Sequence, residues 1–146
     1  MKTQLRPIYH EYIISEEWRS KHPGFLAEAR YQCAAMPWVK VGRGSFYRCH
    51  HLHYNTLGRE RYWFDVVCLS PFVHDLIVHG ILSGGKKPSQ QEIYPNTAQQ
   101  YFHAWCRLPV WAKYGAIALA FGLAGYLSSG VFGMVAGVLV VIFVLR

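Results

Sequence analysis

The chain has 146 residues, a net charge of +7 at pH 7 and 52% hydrophobic side chains. All eight acidic residues lie between Glu11 and Glu92, and the stretch between Lys113 and Arg146 carries no charged side chain. This uneven distribution excludes a single uniform globule, because a globular domain of this size mixes charged and apolar residues along its length. The chain therefore consists of a charged N-terminal part and an apolar C-terminal part.

The first predicted element is helical and extends from about residue 9 to residue 35. Ser15 is a good N-cap, because its hydroxyl can accept a backbone N–H of a first turn that contains two glutamates. Pro23–Gly24 is expected to interrupt the helix, since proline lacks the N–H group that the helix interior needs. The sequence therefore predicts two short helices that meet at Pro23–Gly24.

A strand, a loop, a second strand and a helix are predicted next. They follow a basic, turn-rich segment. The strands are predicted over residues 46–52 and 64–69, the loop between them over 54–61, and the helix over 72–79. Ser70 can cap the helix, and Pro71 suits the first helical position, where a missing N–H costs nothing. Gly80 is expected to end the helix. These elements predict an α+β fold class for the N-terminal part.

The next stretch is predicted to be a linker. Glycine, proline and glutamine dominate from Ser83 to Gln100, and such a composition is typical of connecting segments. The sequence thus predicts a folded domain over residues 1–82, a linker and interfacial segment over 83–108, and a membrane anchor over 109–146.

The uncharged C-terminal run is long enough to enter a membrane, because it exceeds the usual threshold of about 18 residues. As one helix it would be roughly 48 Å long, well beyond the hydrocarbon thickness of about 30 Å. Two arrangements remain open: one tilted transmembrane span, or a helical hairpin broken at Ser128–Gly130. The N-terminus lacks the pattern of a secretory signal, so the soluble domain is expected to face the cytoplasm.

The cysteines do not predict a metal or disulfide framework. The four are Cys33, Cys49, Cys68 and Cys106, and no two of them form a C-x-x-C pair. Reduced thiols are therefore expected.

Histidines are concentrated around the predicted strand, loop, strand and helix. In this region the chain resembles the HNH endonucleases, whose signature is a histidine pair closing one strand, an acidic residue or asparagine in the next, and a histidine on the following helix. The matching segments are CHHLHY with His50 and His51, FDVV with Asp65, and LSPFVH with His74. Residues 12–33 and LGRE at 57–60 are also similar to one branch of that family. The resemblance covers about residues 9–80 and implies a small ββα-metal domain preceded by short helices.

The resemblance implies metal-dependent hydrolysis of a phosphodiester in nucleic acid. In that pattern His51 is the general base, Asp65 holds the tautomer of His51, and His50 and His74 bind the metal. Such chemistry needs a water deprotonated near neutral pH and a cation that stabilises the developing negative charge. The resemblance implies a divalent ion, and imidazole ligands are compatible with zinc, nickel or manganese, or with magnesium that retains extra waters.

His79 is a candidate third metal ligand, but its spacing from His74 is unusual. The two are five residues apart, which is roughly 140° around an α-helix. His79 is therefore expected to join the metal only if the helix ends or bulges before it. His53 lies on the same strand face as His51 and is expected to be structural.

The related branch also binds a structural zinc through two C-x-x-C pairs. The matching positions here are Cys33, Met36, Ser70 and Val73, of which one is a thiol. No structural zinc is therefore expected. Apolar packing should replace it, and the side chains expected there are Met36, Trp38, Phe72 and Val73.

Basic side chains near the signature are expected to contact phosphates. The candidates are Lys40, Arg43, Arg48, Arg59 and Arg61, which suit nucleic acid or anionic lipid headgroups equally well. The expected partners are nucleic acid and a lipid bilayer that takes up residues 109–146. A different class of function also stays open: a catalytically inactive HNH-derived subunit docked on a larger membrane protein complex. The aromatic content of 16% would suit such a docking surface.

Overall fold

The computed structural model describes residues 5–84 and 95–144. They form two compact units that divide between Arg107 and Leu108. The first unit is α+β, as predicted, with helices around a two-stranded sheet. Its elements are α1 (Leu5–Ile14), α2 (Glu16–Glu28), β1 (Arg48–His51), β2 (Val66–Leu69), a π-helix (Phe72–Ile81) and α3 (Thr97–Arg107). The second unit contains α4 (Val110–Val144).

The two N-terminal helices meet at Ser15 and not at Pro23–Gly24. The Ser15 hydroxyl accepts the backbone N–H of Trp18 at 3.1 Å, which caps α2 as expected. Helix α2 then continues through Pro23, although proline cannot donate a backbone hydrogen bond there. Trp18, Phe25 and Leu26 are all buried, at 4%, 5% and 7% exposure. Burial of these side chains outweighs the local cost of the proline.

The two strands form an antiparallel hairpin that is shorter than the sequence predicted. His50 pairs with Val67 and His51 with Val66. All four residues of β2 are buried, which explains why its sequence is continuously apolar instead of alternating. Because successive side chains of a strand point to opposite faces, His50 and His51 serve different surroundings.

The helix after β2 begins where the sequence predicted, and it is a π-helix. The Ser70 hydroxyl accepts the backbone N–H of Val73 at 3.4 Å. Hydrogen bonds from residue i+5 to residue i define this geometry, and the Leu82 N–H continues the pattern to the Ile77 carbonyl at 2.8 Å. The helix ends at Ile81, one residue beyond the predicted glycine stop.

The side chains expected to pack in place of a structural zinc are buried only in part. The Ser70 N–H donates to the Cys33 sulfur at 3.4 Å, so these two segments do meet. Cys33 and Val73 are buried in the core, and Met36 packs against it. Trp38 and Phe72 differ from the expectation, because they are 37% and 57% exposed.

Helix α3 lies in the stretch predicted as a linker, and residues 85–94 of that stretch lie outside the described residues. Cys106 of α3 is fully buried in the core of the first unit. The Trp105 indole N–H donates to the Ala35 carbonyl at 2.9 Å. Thr97–Arg107 is therefore an integral part of the folded domain, which extends beyond the boundary predicted at residue 82.

The second unit is a helical hairpin. Helical geometry breaks at Ser129 and Gly130, where Gly130 has φ +65°, a value that glycine adopts without strain. A Cβ added to Gly125 would lie 2.6 Å from the carbonyl carbon of Gly133. These two residues would be roughly 12 Å apart along one straight helix, so the contact requires two antiparallel arms. Of the two arrangements left open by the sequence, the structure has the hairpin at Ser128–Gly130.

The apolar character of the hairpin agrees with the expected membrane segment in length and composition. Val110–Val131 is long and apolar enough to cross a bilayer. Large apolar side chains lie on its surface, among them Leu119, Leu127 and Val131 at 73%, 77% and 65% exposure.

Candidate metal centre

Strand β1 and the π-helix bring three imidazoles together. His50 extends from β1, and His74 and His79 extend from the π-helix. One ligand nitrogen from each ring lies within 4.8 Å of those of the other two, so this cluster could hold a metal ion. The structure thus brings together the three residues that the sequence predicted as ligands.

The π-helix explains how histidines five residues apart share one face. In a π-helix the N–H of residue i+5 bonds to the carbonyl of residue i, so residues five apart lie about one turn apart. The ring centroids of His74 and His79 are accordingly 4.5 Å apart. The sequence allowed His79 to join the cluster only if the helix ended or bulged before it, and the π-helix meets the second of these conditions.

A fourth imidazole reaches the cluster from α3. The Nε2 atoms of His103 and His50 are 3.1 Å apart, and each residue is 6% exposed. Sequence reasoning missed His103 because the glutamine-rich stretch before it indicated a linker. The spacing of Phe102 and Cys106 on one helical face was the available signal, since it places an apolar stripe beside His103.

Three of these imidazoles, His50, His74 and His103, are held neutral at physiological pH. Burial, together with the neighbouring imidazoles, holds the pKa of His50 well below its usual range. Burial likewise lowers the pKa of His74, and it lowers that of His103 to about 4. Neutral imidazoles keep the lone pairs that a metal ligand needs. The donor set therefore fits a divalent ion.

Asp75 fixes the orientation of one ligand. The Nδ1 atom of His74 lies 2.6 Å from Oδ1 of Asp75. Asp75 Oδ2 also lies 3.4 Å from the guanidinium of Arg48. A carboxylate on one ring nitrogen leaves the other for the metal and raises ligand basicity. Sequence reasoning did not single out Asp75, although it follows His74 directly.

His51 lies on the opposite face of β1 inside an aromatic pocket. Its ring stacks on Trp18 with centroids 4.4 Å apart, and Tyr9 and Tyr54 lie against it at 5.7 and 5.6 Å. Its Nε2 is 3.4 Å from Glu60 Oε1. Burial lowers the pKa of His51 to about 4, so the ring is neutral.

Asp65 contacts His53 and Arg61 instead of His51. Its Oδ1 is 3.0 Å from His53 Nε2, and its Oδ2 accepts the backbone N–H and the side-chain Nε–H of Arg61 at 2.8 and 3.2 Å. The residue expected to hold the tautomer of His51 therefore holds the loop before β2. The register of the hairpin explains the difference. His51 pairs with Val66, so Asp65 lies one position closer to the loop than the partner of His51.

Glu60 is the carboxylate that faces His51. It accepts hydrogen bonds from Lys21 Nζ, the Tyr12 hydroxyl and the Gly58 N–H at 2.9, 2.8 and 2.8 Å. Burial alone would raise the pKa of Glu60, but these bonds lower it to about 2. Glu60 is part of the LGRE segment in the sequence, where the glutamate had no assigned role.

The basic side chains predicted to contact phosphates lie on the surface. All five are exposed: Lys40, Arg43, Arg48, Arg59 and Arg61. The Arg43 guanidinium lies over the Tyr31 ring at 3.9 Å, and Arg61 pairs with Asp65 at 3.2 Å. These contacts give two of the cations defined positions.

No protein-family model, curated protein or solved structure matches this chain. The likeness to HNH endonucleases therefore rests on the residues quoted from the sequence.

Proposed function

We propose that this protein is a membrane-anchored enzyme that hydrolyses phosphodiester bonds in nucleic acid with a divalent metal ion. One observation carries the proposal: His50, His74 and His79 converge between a strand and the helix that follows the strand hairpin. These residues would hold the ion, which when bound stabilises negative charge on a phosphate and lowers the pKa of a water molecule. The neutral rings of His50 and His74 and the Asp75 contact prepare these ligands for this role.

His51 is the proposed general base, with Glu60 in the orienting role in place of Asp65. The His51 ring faces away from the metal ligands and is covered by Tyr9 and Tyr54. Proton abstraction from water therefore requires these two tyrosines to move off the ring. A general base typically contributes about 10²- to 10⁴-fold to the rate.

The exposed cations of the first unit would bind the nucleic acid backbone. Arg48 is well placed for this, because it lies beside Asp75, whose carboxylate contacts the ligand His74. Contacts between cations and phosphates release counterions, so binding should weaken steeply as salt is added.

The hairpin of the second unit would anchor the enzyme in a bilayer. Its arms over residues 110–128 and 131–144 are about 28 and 21 Å long, and both ends of a hairpin emerge on the same side. Lys113 lies near the start of the first arm and Arg146 follows the second arm in sequence, so the positive-inside tendency supports a cytoplasmic position for both ends of the hairpin.

A second candidate function is an inactive accessory subunit of a larger membrane protein complex. The enclosure of His51 favours it, because a general base must reach water and the His51 side chain is 2% exposed. In this case the metal centre would stabilise the fold, and the apolar surface of the hairpin would pack against other spans.

A nicking assay on the full chain in detergent tests the enzyme proposal. With zinc, nickel, manganese or magnesium added, the unmodified protein should nick supercoiled plasmid, and His74→Ala and His51→Gln should lose that activity. His10→Gln, at an exposed position of α1, is the matched control and should remain active. If the unmodified chain binds metal but nicks with none of these ions, the enzyme proposal is wrong. Recovery of the chain with a membrane complex would then support the accessory subunit.

A further inference from the structure

We infer that His103 is a positioning residue of the metal centre: it accepts the Nε2 proton of His50 and so leaves Nδ1 of His50 as the nitrogen that binds the ion. The inference rests on the metal centre of the proposed function but not on its hydrolytic activity. It assigns a role to α3, which lies outside the region that resembles the HNH endonucleases.

The contact between His103 and His50 is a buried hydrogen bond between two ring nitrogens. Their Nε2 atoms are 3.1 Å apart, and each residue is 6% exposed. A neutral imidazole has one N–H donor and one nitrogen lone pair. Two lone pairs, or two N–H groups, would repel each other at this distance. One Nε2 therefore carries a proton and the other Nε2 accepts it.

The backbone of Leu52 decides which ring donates. His103 makes a hydrogen bond to that backbone, and the bond raises the pKa of His103 against the larger, lowering effect of burial. A bond that raises the pKa of a base is one that its ring donates, so Leu52 contributes its carbonyl. Because Nε2 of His103 faces His50, the proton given to Leu52 is on Nδ1. Nε2 of His103 is then bare and accepts the proton of His50.

The same hydrogen bond determines what His50 can offer to a metal. With its proton on Nε2, the His50 ring keeps a lone pair only on Nδ1, and a histidine binds a metal through a lone pair. His74 has the opposite arrangement, because its Nδ1 lies 2.6 Å from Oδ1 of Asp75 and its Nε2 is left for the ion. The two ligands would thus bind through different ring nitrogens, each fixed by an outer contact.

Helix α3 is held against the same π-helix that carries His74 and His79. Gln99 donates from its side chain to the Val78 carbonyl at 3.3 Å, and Asn96 donates to the Leu82 carbonyl at 2.7 Å. On the side of the core, Cys106 of α3 is fully buried. His103 is thus placed by a packed helix, which is the kind of support that a precisely oriented ligand requires.

Long-range proton–nitrogen correlation spectra of the full chain in detergent, recorded without metal, test the tautomer directly. In the unmodified protein His50 should carry its proton on Nε2 and have a bare Nδ1. His103→Gln should keep this tautomer, because the glutamine carbonyl also accepts a hydrogen bond, whereas His103→Leu should lose the preference. Gln99→Leu is the matched control, since it removes another polar contact of α3 and should leave the His50 tautomer unchanged.

Two results of these spectra would overturn the inference. One is a proton on Nδ1 of His50 in the unmodified chain, which would mean that the hydrogen bond runs in the other direction. The other is a His50 tautomer that is the same in a folded His103→Leu variant. If His103→Leu does not fold, spectra of the unmodified chain with zinc decide: the zinc-induced shift should fall on Nδ1 of His50, and a shift on Nε2 contradicts the assignment.

Zinc affinity shows whether the hydrogen bond serves the metal centre. Loss of such an outer contact typically costs about 10- to 100-fold in metal affinity, so His103→Leu should bind zinc more weakly by that factor. His103→Gln and Gln99→Leu should bind zinc as the unmodified chain does. Competition with a chromogenic chelator measures these affinities. Equal zinc affinity in His103→Leu and the unmodified chain would remove the positioning role.

These results separate the inference from the proposed enzyme activity. If the tautomer and the zinc affinity respond to His103→Leu and the unmodified chain does not nick plasmid, the positioning role stands and the enzyme proposal falls. If the unmodified chain nicks plasmid and neither property responds to His103→Leu, the enzyme proposal stands and the positioning role falls.

Discussion

His74 and His79 are five residues apart in sequence, yet their rings lie 4.5 Å apart between centroids. The π-helix produces this contact, because its turn is about one residue longer than that of an α-helix. Such helices are rare and are frequently found at functional sites. The extra residue thus brings together two imidazoles of the candidate metal centre.

Deleting Leu76 should convert the π-helix to an α-helix and preserve the metal centre. Leu76 is 49% exposed, and its removal leaves the two histidines four residues apart, about 40° around an α-helix. Zinc affinity, measured by competition with a chromogenic chelator, should stay close to that of the unmodified chain. Inserting one alanine after Leu76 should instead abolish zinc binding. Loss of zinc in a deletion variant that retains its circular dichroism would contradict this account.

Removing the charge of Asp75 should weaken the metal centre without destroying it. The carboxylate lies 2.6 Å from His74 Nδ1, and changes at such outer contacts typically cost about 10- to 100-fold in metal affinity. Asp75→Asn should fall in that range in the same chelator competition, whereas His74→Ala should bind far more weakly. Glu28→Gln, at an exposed position of α2, is the charge-matched control. An Asp75→Asn affinity equal to that of the control would count against the orienting role.

Acid should destabilise the metal-free protein between pH 6.5 and about pH 4. Burial lowers the pKa of His51 to about 4, whereas an unfolded histidine has a pKa of about 6.5. In that window the unfolded chain binds a proton that folded His51 does not, so stability falls as pH falls, by about 1.4 kcal/mol per pH unit for this group. Thermal unfolding of the full chain in detergent and chelator, followed by near-ultraviolet circular dichroism, measures the effect.

The comparison of two glutamine variants isolates the contribution of His51. His51→Gln should show a shallower loss of stability across that window, since one titrating group has been removed. His10→Gln changes an exposed histidine and should follow the unmodified protein. Parallel curves for both variants would mean that His51 is not held neutral by its pocket.

The topology of the hairpin depends on its glycines. A tag after Arg146 should lie on the same membrane side as an N-terminal tag. Gly125→Leu should move the C-terminal tag to the other side or prevent insertion, because a side chain there would collide with the Gly133 carbonyl. Gly115→Leu, where a side chain meets nothing within 4 Å, is the control. Accessibility of the two tags to a membrane-impermeant label measures the outcome, and opposite sides for the unmodified chain would exclude a membrane hairpin.

Several elements of the candidate site could be predicted because they depend on local chemistry. Strand periodicity alone requires His50 and His51 to face opposite sides. The Ser70 hydroxyl caps the next helix, and Gly130 permits the turn between the hairpin arms. Ser15 was recognised as a helix cap, but the boundary between the two helices was predicted at Pro23. Local rules predict a break at a proline, whereas burial of one face of α2 stabilises the helix through Pro23.

The residues that complete the site depended on contacts distant in sequence. Glu60 faces His51 because Lys21 and Tyr12, from the N-terminal helices, hold its carboxylate. His103 reaches His50 across 53 positions of sequence because Cys106 anchors α3 in the core. Secondary-structure propensity and residue spacing depend on neighbours along the chain. They do not predict contacts between residues that are distant in sequence.

By itself the sequence determined the α+β class, the charged and apolar halves of the chain and the three histidines of the cluster, since composition and local periodicity decide these. Tertiary structure decided how the histidines are used. Packing selected a π-helix that aligns His74 with His79, and it brought His103 into contact with His50. It also enclosed His51 among aromatic rings. The physical reason is that burial of the core, a property of the whole fold, outweighs the small preferences that each segment has alone.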